Sequence, residues 1–269
     1  QVTPLLLALV IGIGGGSLLA GRLSGQGADE NSQVNLGIVP VGGMIMATAC
    51  LALSFSGQEI FQPDKSLSIG LMTAAWWLFL LGVGAGMFDV PLEAYLQEQS
   101  PPDRLGATLA STNLLVFTGM LASSLGYYVL RMPVGAEELA KPLFSARGVF
   151  LIFSLLAGIA TVAAIVSAPR SSLRLFVDWT VRLVYRFRIQ GAESLPASGP
   201  AVIVGNHISW LDGFLVVLAA RRPVRMVVYG PNIQGRFLKR LAAQWQFILF
   251  DPHPKSIARA LKEIESGLA

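Results

Sequence analysis

Five apolar stretches, each close to the length of a membrane-spanning helix, limit the folds open to this sequence more than any other feature. The hydrocarbon core of a bilayer is about 30 Å thick, and a helix needs about 20 apolar residues to cross it. The stretches are Leu5–Ala20, Leu36–Ser56, Leu67–Leu96, Leu105–Leu130 and Gly148–Ala168. Hydrophobic residues make up 53% of the chain and charged residues only 13%. The sequence therefore predicts an α-helical membrane domain with five transmembrane helices.

The composition changes after Pro169. Five arginines occur between Arg170 and Arg188, and the apolar runs that follow are short. Positive charge next to a membrane span favours the cytoplasmic side, so we expect this end of the membrane domain to face the cytoplasm. The formal net charge is +4. This basicity indicates attraction to anionic lipid headgroups, and no motif points to a nucleic-acid partner.

A helical pattern joins the two parts of the chain. Between Leu173 and Phe187 charged residues recur every four positions while apolar residues fill others, which predicts an amphipathic helix within residues 170–188. Such a helix can lie in the headgroup region of a bilayer. It can equally be an ordinary helix that packs on a protein core, and the sequence leaves both interpretations open.

Beyond this helix, short apolar runs alternate between strand-like and helix-like patterns. The predicted strands are Arg186–Gln190, Ala201–Val204, Arg225–Val228 and Phe247–Phe250, and the predicted helices are Leu211–Ala220, Ile233–Ala243 and Ser256–Ser266. Alternating strands and helices predict an α/β domain.

A histidine and a carboxylate, His207 and Asp212, follow the apolar run Ala201–Val204 directly. A neutral imidazole can take a proton from an alcohol, and a carboxylate can hold the other ring nitrogen and stabilise the imidazolium. This chemistry suits acyl transfer to a hydroxyl and requires no metal. The alternative is that the pair only caps a helix. The chain's other histidine, His253, stands between two prolines without a partner, so we leave it out of the chemistry.

The segment Asn206-His207-x-x-x-x-Asp212 resembles the first motif of the PlsC-type glycerolipid acyltransferases, and Ile189–Pro196 is similar to their entry into this motif. The resemblance implies that His207 is the general base on a lysophospholipid hydroxyl and that Asp212 orients the imidazole. His207 is then expected on a loop or first helical turn, with Asp212 reaching back from the helix. Asn206 is a candidate substrate-binding residue. The expected donor is an acyl thioester of acyl carrier protein or coenzyme A, with no cofactor.

The resemblance is incomplete in the second half of the domain. The family's second motif usually offers an arginine for the acceptor phosphate, but Phe247–Pro252 contains none. Lys239 and Arg240 are substitutes for it, unless they only form a solvated helix face. The family's third motif, a Phe-Pro-Glu-Gly segment, would follow Ala269. Residues 189–269 are therefore expected to be the N-terminal part of an incomplete acyltransferase domain.

Two segments of the membrane part resemble transporters of the major facilitator superfamily. Gly16–Gly25 resembles the superfamily's short cytoplasmic loop, and Val90–Gln97 with the following loop looks like the tenth helix of its lysophospholipid transporter branch. The resemblance implies that residues 1–169 are a partial transporter domain holding helices eight to twelve. The alternative is that the glycines serve tight helix packing without transport. Asp89 and Glu93 either line a polar route or lie at the membrane interface.

Together the two parts resemble fused proteins that combine a lysophospholipid transporter with a 2-acylglycerophosphoethanolamine acyltransferase. The resemblance implies a multi-pass protein of the bacterial inner membrane whose acyltransferase domain is cytoplasmic. Its expected partners are membrane lipid, lysophospholipid and the acyl thioester, with lysophosphatidylethanolamine as the favoured acceptor. Two alternatives stay open: a lysophosphatidate acyltransferase, and a transporter with a vestigial soluble tail.

Overall fold

The chain forms two compact units that meet in sequence between Ala168 and Pro169. The computed structural model describes residues 2–24, 34–56, 69–134, 141–186, 188–191, 194–196, 199–206, 208–220 and 224–268. Most of the described residues are helical, and the short strands form two separate two-stranded sheets.

The first unit holds five long helices: α1 (Thr3–Ser24), α2 (Ile38–Phe55), α3 (Ile69–Gln99), α4 (Leu105–Leu130) and α5 (Ala146–Ser167). Each is long and apolar enough to cross a membrane, with mean hydropathy from 1.4 in α4 to 2.7 in α5. The five predicted spans are confirmed as helices of this kind. A helix pairs all of its backbone groups within one segment, so it can form in lipid without help from a neighbour.

Glycines bring the backbones of these helices close together. Helix α3 packs against α1 and α2, and α2 also packs against α5. A Cβ atom added at Gly86 would lie 2.6 Å from the carbonyl oxygen of Ile13 and from the amide nitrogen of Ser17. A Cβ atom at Gly42 would lie 2.7 Å from the carbonyl oxygen of Gly84. No side chain fits in these places, so the glycines at these positions permit close packing of the helices.

Helix α4 is packed much more loosely than its neighbours. None of its residues is buried. It is followed by a short antiparallel hairpin of β1 (Pro133–Val134) and β2 (Lys141–Pro142). An apolar helix exposed on all sides is unfavourable in water but normal in lipid, where the surroundings are as apolar as the side chains.

The two acidic side chains of the third span lie near its C-terminal end. Asp89 and Glu93 are both exposed, and Pro91 between them is fully buried. Exposed carboxylates fit both alternatives, a polar route and the membrane interface, so the choice between them stays open.

The second unit contains helix α6 (Pro169–Val184) and an α/β segment. The segment comprises α7 (Trp210–Ala219), β3 (Val227–Tyr229), α8 (Gly235–Gln244), β4 (Ile248–Phe250) and α9 (Pro254–Leu268). Strands β3 and β4 are parallel, with Val227 opposite Ile248 and Tyr229 opposite Phe250. Parallel neighbours need a crossover connection, which α8 supplies.

Two predicted strands are wrong within the described residues. Ala201–Val204 and the described part of Arg186–Gln190 have no strand conformation. The side chains of Val202 and Val204 are 68% and 88% exposed, so this apolar run is not a buried strand. A strand exists only where a neighbour completes its hydrogen-bond ladder. In the described part of this unit, the hydrogen-bond ladder joins only β3 to β4. The run Ala201–Val204 has no partner in that ladder, so its apolar sequence alone was not sufficient to predict a strand.

Candidate active site

The start of helix α7 is fixed by a capping box between Ser209 and Asp212. Ser209 has an extended backbone, and its side-chain oxygen accepts a hydrogen bond from the Leu211 amide at 3.2 Å. In return the Asp212 side chain accepts from the Ser209 amide at 2.6 Å. The first amides of a helix have no partner within the helix, so such side-chain acceptors decide where it begins.

Asp212 also reaches one residue further back. The same carboxylate oxygen, Oδ2, accepts a hydrogen bond from the Ile208 amide at 2.7 Å. Two N–H groups therefore hold one oxygen of the carboxylate in a defined place beside the segment that contains His207. Asp212 thus reaches back from the helix to these two amides, and its predicted role toward His207 stays a prediction.

His207 lies outside the described residues, so its pairing with Asp212 stays a prediction. Its described neighbours Asn206 and Ile208 are exposed, and Ile208 is 87% exposed. Solvent therefore reaches the residues on either side of position 207. Because Asn206 is exposed, it does not belong to the described hydrophobic core.

Aromatic packing holds α7 to the rest of the α/β segment. The ring of Phe214 meets the indole of Trp245 edge-on at a centroid distance of 5.5 Å, and Trp245 meets Phe247 in the same way at 6.1 Å. At the other end of α7, Arg174 of α6 donates a hydrogen bond from Nη2 to the carbonyl oxygen of Ala220 at 3.3 Å. Helix α7 is thus anchored at its start, along its side and at its end.

A solvent-open cavity of about 340 Å³ lies at the N-terminal edge of the parallel strands. Arg225 comes just before β3 and Phe247 just before β4, so both stand at this edge. The complete lining is Arg225, Lys239, Ala242, Ala243, Gln246, Phe247, Leu249 and Glu263. Two cations, one carboxylate and an apolar wall could accommodate an anionic group attached to an apolar body.

The two predicted phosphate-binding residues occupy different places. Lys239 lines the cavity, whereas Arg240 is exposed on α8 and is not among the lining residues. Arg225 was not predicted, because it precedes β3 whereas Lys239 lies on α8, and their common cavity depends on how these elements pack. In the part of the chain that the structure describes, no three His, Cys, Asp or Glu side chains lie together as a metal site.

One sequence signal for this site was overlooked. A Ser-x-x-Asp pattern ahead of an apolar run is typical of a capping box, and Ser209 and Asp212 form such a pattern before Phe214. The carboxylate of Asp212 thus has a structural role at the helix start in addition to any role toward His207.

Comparison with known proteins assigns the second part of the chain to a family. No solved structure matches the chain. Residues 186–268 match the sequence model of the family described as Acyltransferase. The matched region contains the capping box, the aromatic cluster and the cavity. The protein therefore carries an acyltransferase domain over residues 186–268, beside several helices able to span a membrane.

Proposed function

We propose that this protein is a membrane-bound acyltransferase of the glycerolipid, PlsC type, which moves a fatty acyl group from a thioester to the free hydroxyl of a lysophospholipid. The observation that carries the proposal is the position of Asp212. Within a domain that matches an acyltransferase family, its carboxylate turns back from α7 toward the backbone beside His207. A base in such a domain needs an orienting acid at this point.

The proposed reaction has one base and one orienting acid. His207 takes the proton of the acceptor hydroxyl as the oxygen attacks the thioester carbonyl carbon. The carbon–sulfur bond then breaks, the acyl–oxygen ester remains, and the thiolate receives the proton from the imidazolium. Asp212 fixes the imidazole tautomer and stabilises its charged form. The donor is an acyl thioester of acyl carrier protein or coenzyme A, and the mechanism needs no metal.

The acceptor is proposed to be a lysophospholipid, with lysophosphatidylethanolamine favoured. Lys239 and Arg240 are the proposed phosphate contacts, and Lys239 lines a cavity together with a second cation, Arg225. Asn206, exposed next to the base, is proposed to contact substrate. We further propose that lysophospholipid transport by a membrane domain of major facilitator type supplies the acceptor, and that the protein lies in the bacterial inner membrane with its acyltransferase domain in the cytoplasm.

The experiment that tests this proposal compares the two histidines of the chain. Full-length protein in lipid nanodiscs is given radiolabelled acyl thioester and lysophosphatidylethanolamine, and diacyl lipid is measured. His207→Ala should lower the rate by about 10²- to 10⁴-fold, since that is the usual contribution of a general base. His253→Ala is the matched control, because His253 is exposed and outside the proposed chemistry, and it should keep the wild-type rate.

Other outcomes would contradict parts of the proposal. Equal rates for His207→Ala and the wild type would remove the catalytic assignment and favour a transporter with a vestigial tail. A strong preference for lysophosphatidate over lysophosphatidylethanolamine would keep the acyl transfer and overturn the acceptor. The headgroup comparison therefore separates the two lipid alternatives within the same assay.

A further inference from the structure

Helix α6 presents large apolar side chains outward. Phe176, Trp179 and Leu183 are 68%, 44% and 88% exposed. Residues three, four and seven positions apart share one face of a helix, so the three side chains form a continuous apolar face. We call these three residues the outer face of α6. A helix that simply packs on a core in water would turn such a face inward.

The opposite side of α6 is the side that is buried. Ser171 and Val181 are 4% and 2% exposed, and both lie on the far side of the helix from the outer face. Arg174 lies between them and donates to the carbonyl oxygen of Ala220 at the end of α7. The hydrogen bond from Arg174 to the end of α7 therefore lies on the side of α6 that faces away from the outer face. This orientation leaves Phe176 and Leu183 mostly exposed and Trp179 partly exposed.

The charge of α6 identifies the kind of surface that fits it. The helix carries Arg170, Arg174 and Arg182 against a single acidic residue, Asp178. That acid is already paired, since Arg182 Nε donates to its carboxylate at 2.8 Å. Arg186 and Arg188 follow directly after the helix and are exposed. The exposed arginines at and just after the end of the helix, Arg182, Arg186 and Arg188, together with the outer face complement a surface that is anionic outside and apolar beneath, which describes an anionic bilayer.

Chain connectivity places the start of α6 near such a surface. Helix α5, with mean hydropathy 2.7, ends at Ser167, and α6 begins at Pro169. Two residues span at most about 7 Å. If α5 crosses a bilayer, the first turn of α6 must lie at the boundary where α5 leaves it. Tryptophan is enriched at this boundary because its ring is apolar and its N–H is polar.

We propose that α6 lies along the surface of an anionic bilayer, with Phe176, Trp179 and Leu183 entering the boundary between headgroups and acyl chains. The proposal resolves the alternative that the sequence left open between a surface helix and a core helix. It does not depend on acyl transfer, because it concerns only where the outer face lies.

The test measures the depth of single labels on the outer side of α6. Full-length protein carrying Cys50→Ala receives one cysteine at a time, as Leu183→Cys or Thr180→Cys, and each is labelled with bimane. Thr180 is exposed beside the outer face and guards against a folding defect at position 183. Lys262→Cys on α9 is the control, since Lys262 is exposed on a helix of the same unit. The proteins are placed in nanodiscs of phosphatidylcholine and phosphatidylglycerol, with or without lipid bearing a nitroxide near the headgroup.

We expect nitroxide lipid to quench the labels at 183 and 180 at least about threefold more strongly than the label at 262. Iodide in the water should show the reverse order. Strong iodide quenching at 183 and 180, equal to that at 262, would show a water-facing helix and overturn the proposal. Protection of both labels from iodide and from nitroxide lipid would show that protein covers the outer face, and would overturn it as well.

Discussion

The two units of this protein hold their helices together by different means. In the first unit, the backbone of α3 lies in close contact with that of α1 at Gly86 and with that of α2 at Gly42 and Gly84. In the second unit, α7 is held by side chains: a cap at its start, the Phe214–Trp245 contact along its side and an arginine at its end. In lipid the hydrophobic effect does not drive apolar helices together, so their association depends on close van der Waals packing. In water the hydrophobic effect itself drives aromatic rings together.

The largest expected effect lies in the aromatic cluster of the second unit. Trp245→Ala removes the ring that joins Phe214 to Phe247, and it should lower the free energy of unfolding by about 3 kcal/mol. Proteolysis at rising temperature, followed with an antibody to the C-terminal part, would measure the loss in the second unit. Helices α1 to α3 should keep their resistance.

Trp245→Phe is the matched control for this prediction. The indole N–H of Trp245 is buried and has no hydrogen-bond partner among the described residues. A phenyl ring keeps most of the contact and removes an unsatisfied donor, so the two effects oppose each other. A loss as large as that of Trp245→Ala would mean that a phenyl ring cannot replace the larger indole between Phe214 and Phe247.

The second effect concerns the close packing of the first unit. Gly86→Ala places a methyl group where the backbone of α1 stands 2.6 Å away, and we expect a loss of about 1–3 kcal/mol from overpacking. Gly119→Ala in α4 is the control, because no atom lies within 4 Å of its added Cβ. Alanine also favours a helix over glycine. The thermal midpoint in detergent should fall for the first variant and hold or rise for the second.

Equal thermal midpoints for Gly86→Ala and Gly119→Ala would contradict the view that the first unit is held together by backbone contact. In that case α1 and α3 would be free to move apart, and the association of the first unit would not depend on backbone contact.

The smallest expected effect is at the cap of α7. Ser209→Ala removes the acceptor of the Leu211 amide and should destabilise the second unit by about 0.5–2 kcal/mol. Ser209→Thr keeps a hydroxyl acceptor and should recover most of the loss. Hydrogen exchange at the first amides of α7 would report the change directly. Unchanged exchange in Ser209→Ala would show that the bonds from Asp212 alone fix the helix start.

The helices of the first unit could be predicted from sequence, because length and apolarity are sufficient for a span. Helix α4 has the predicted bounds, Leu105–Leu130. Strands were harder to predict, since each depends on a partner elsewhere in the chain. The run Phe247–Phe250 became β4 because β3 lies beside it, whereas Ala201–Val204 has no such neighbour in the described ladder.

For the candidate site, too, local features could be predicted from the sequence and contacts between distant elements could not. Asp212 could be found because its spacing from His207 is local, and its hydrogen bonds run to residues 208 and 209. The common cavity of Arg225 and Lys239 could not be predicted, because it depends on how α8 packs beside the segment that precedes β3. The role of Arg174 at the end of α7 was also missed, since the bond from Arg174 to Ala220 connects helices far apart in sequence.

The two N–H groups that share one oxygen of Asp212 would lower the entropic cost of catalysis under the proposed role of this residue. A free aspartate samples several rotamers, and some of this freedom is lost whenever its carboxylate must face one direction. Here the hydrogen bonds from the Ile208 and Ser209 amides already hold the Asp212 side chain in one rotamer. No part of the energy of lipid binding is then needed to arrange this carboxylate, so it is organised before an acceptor arrives.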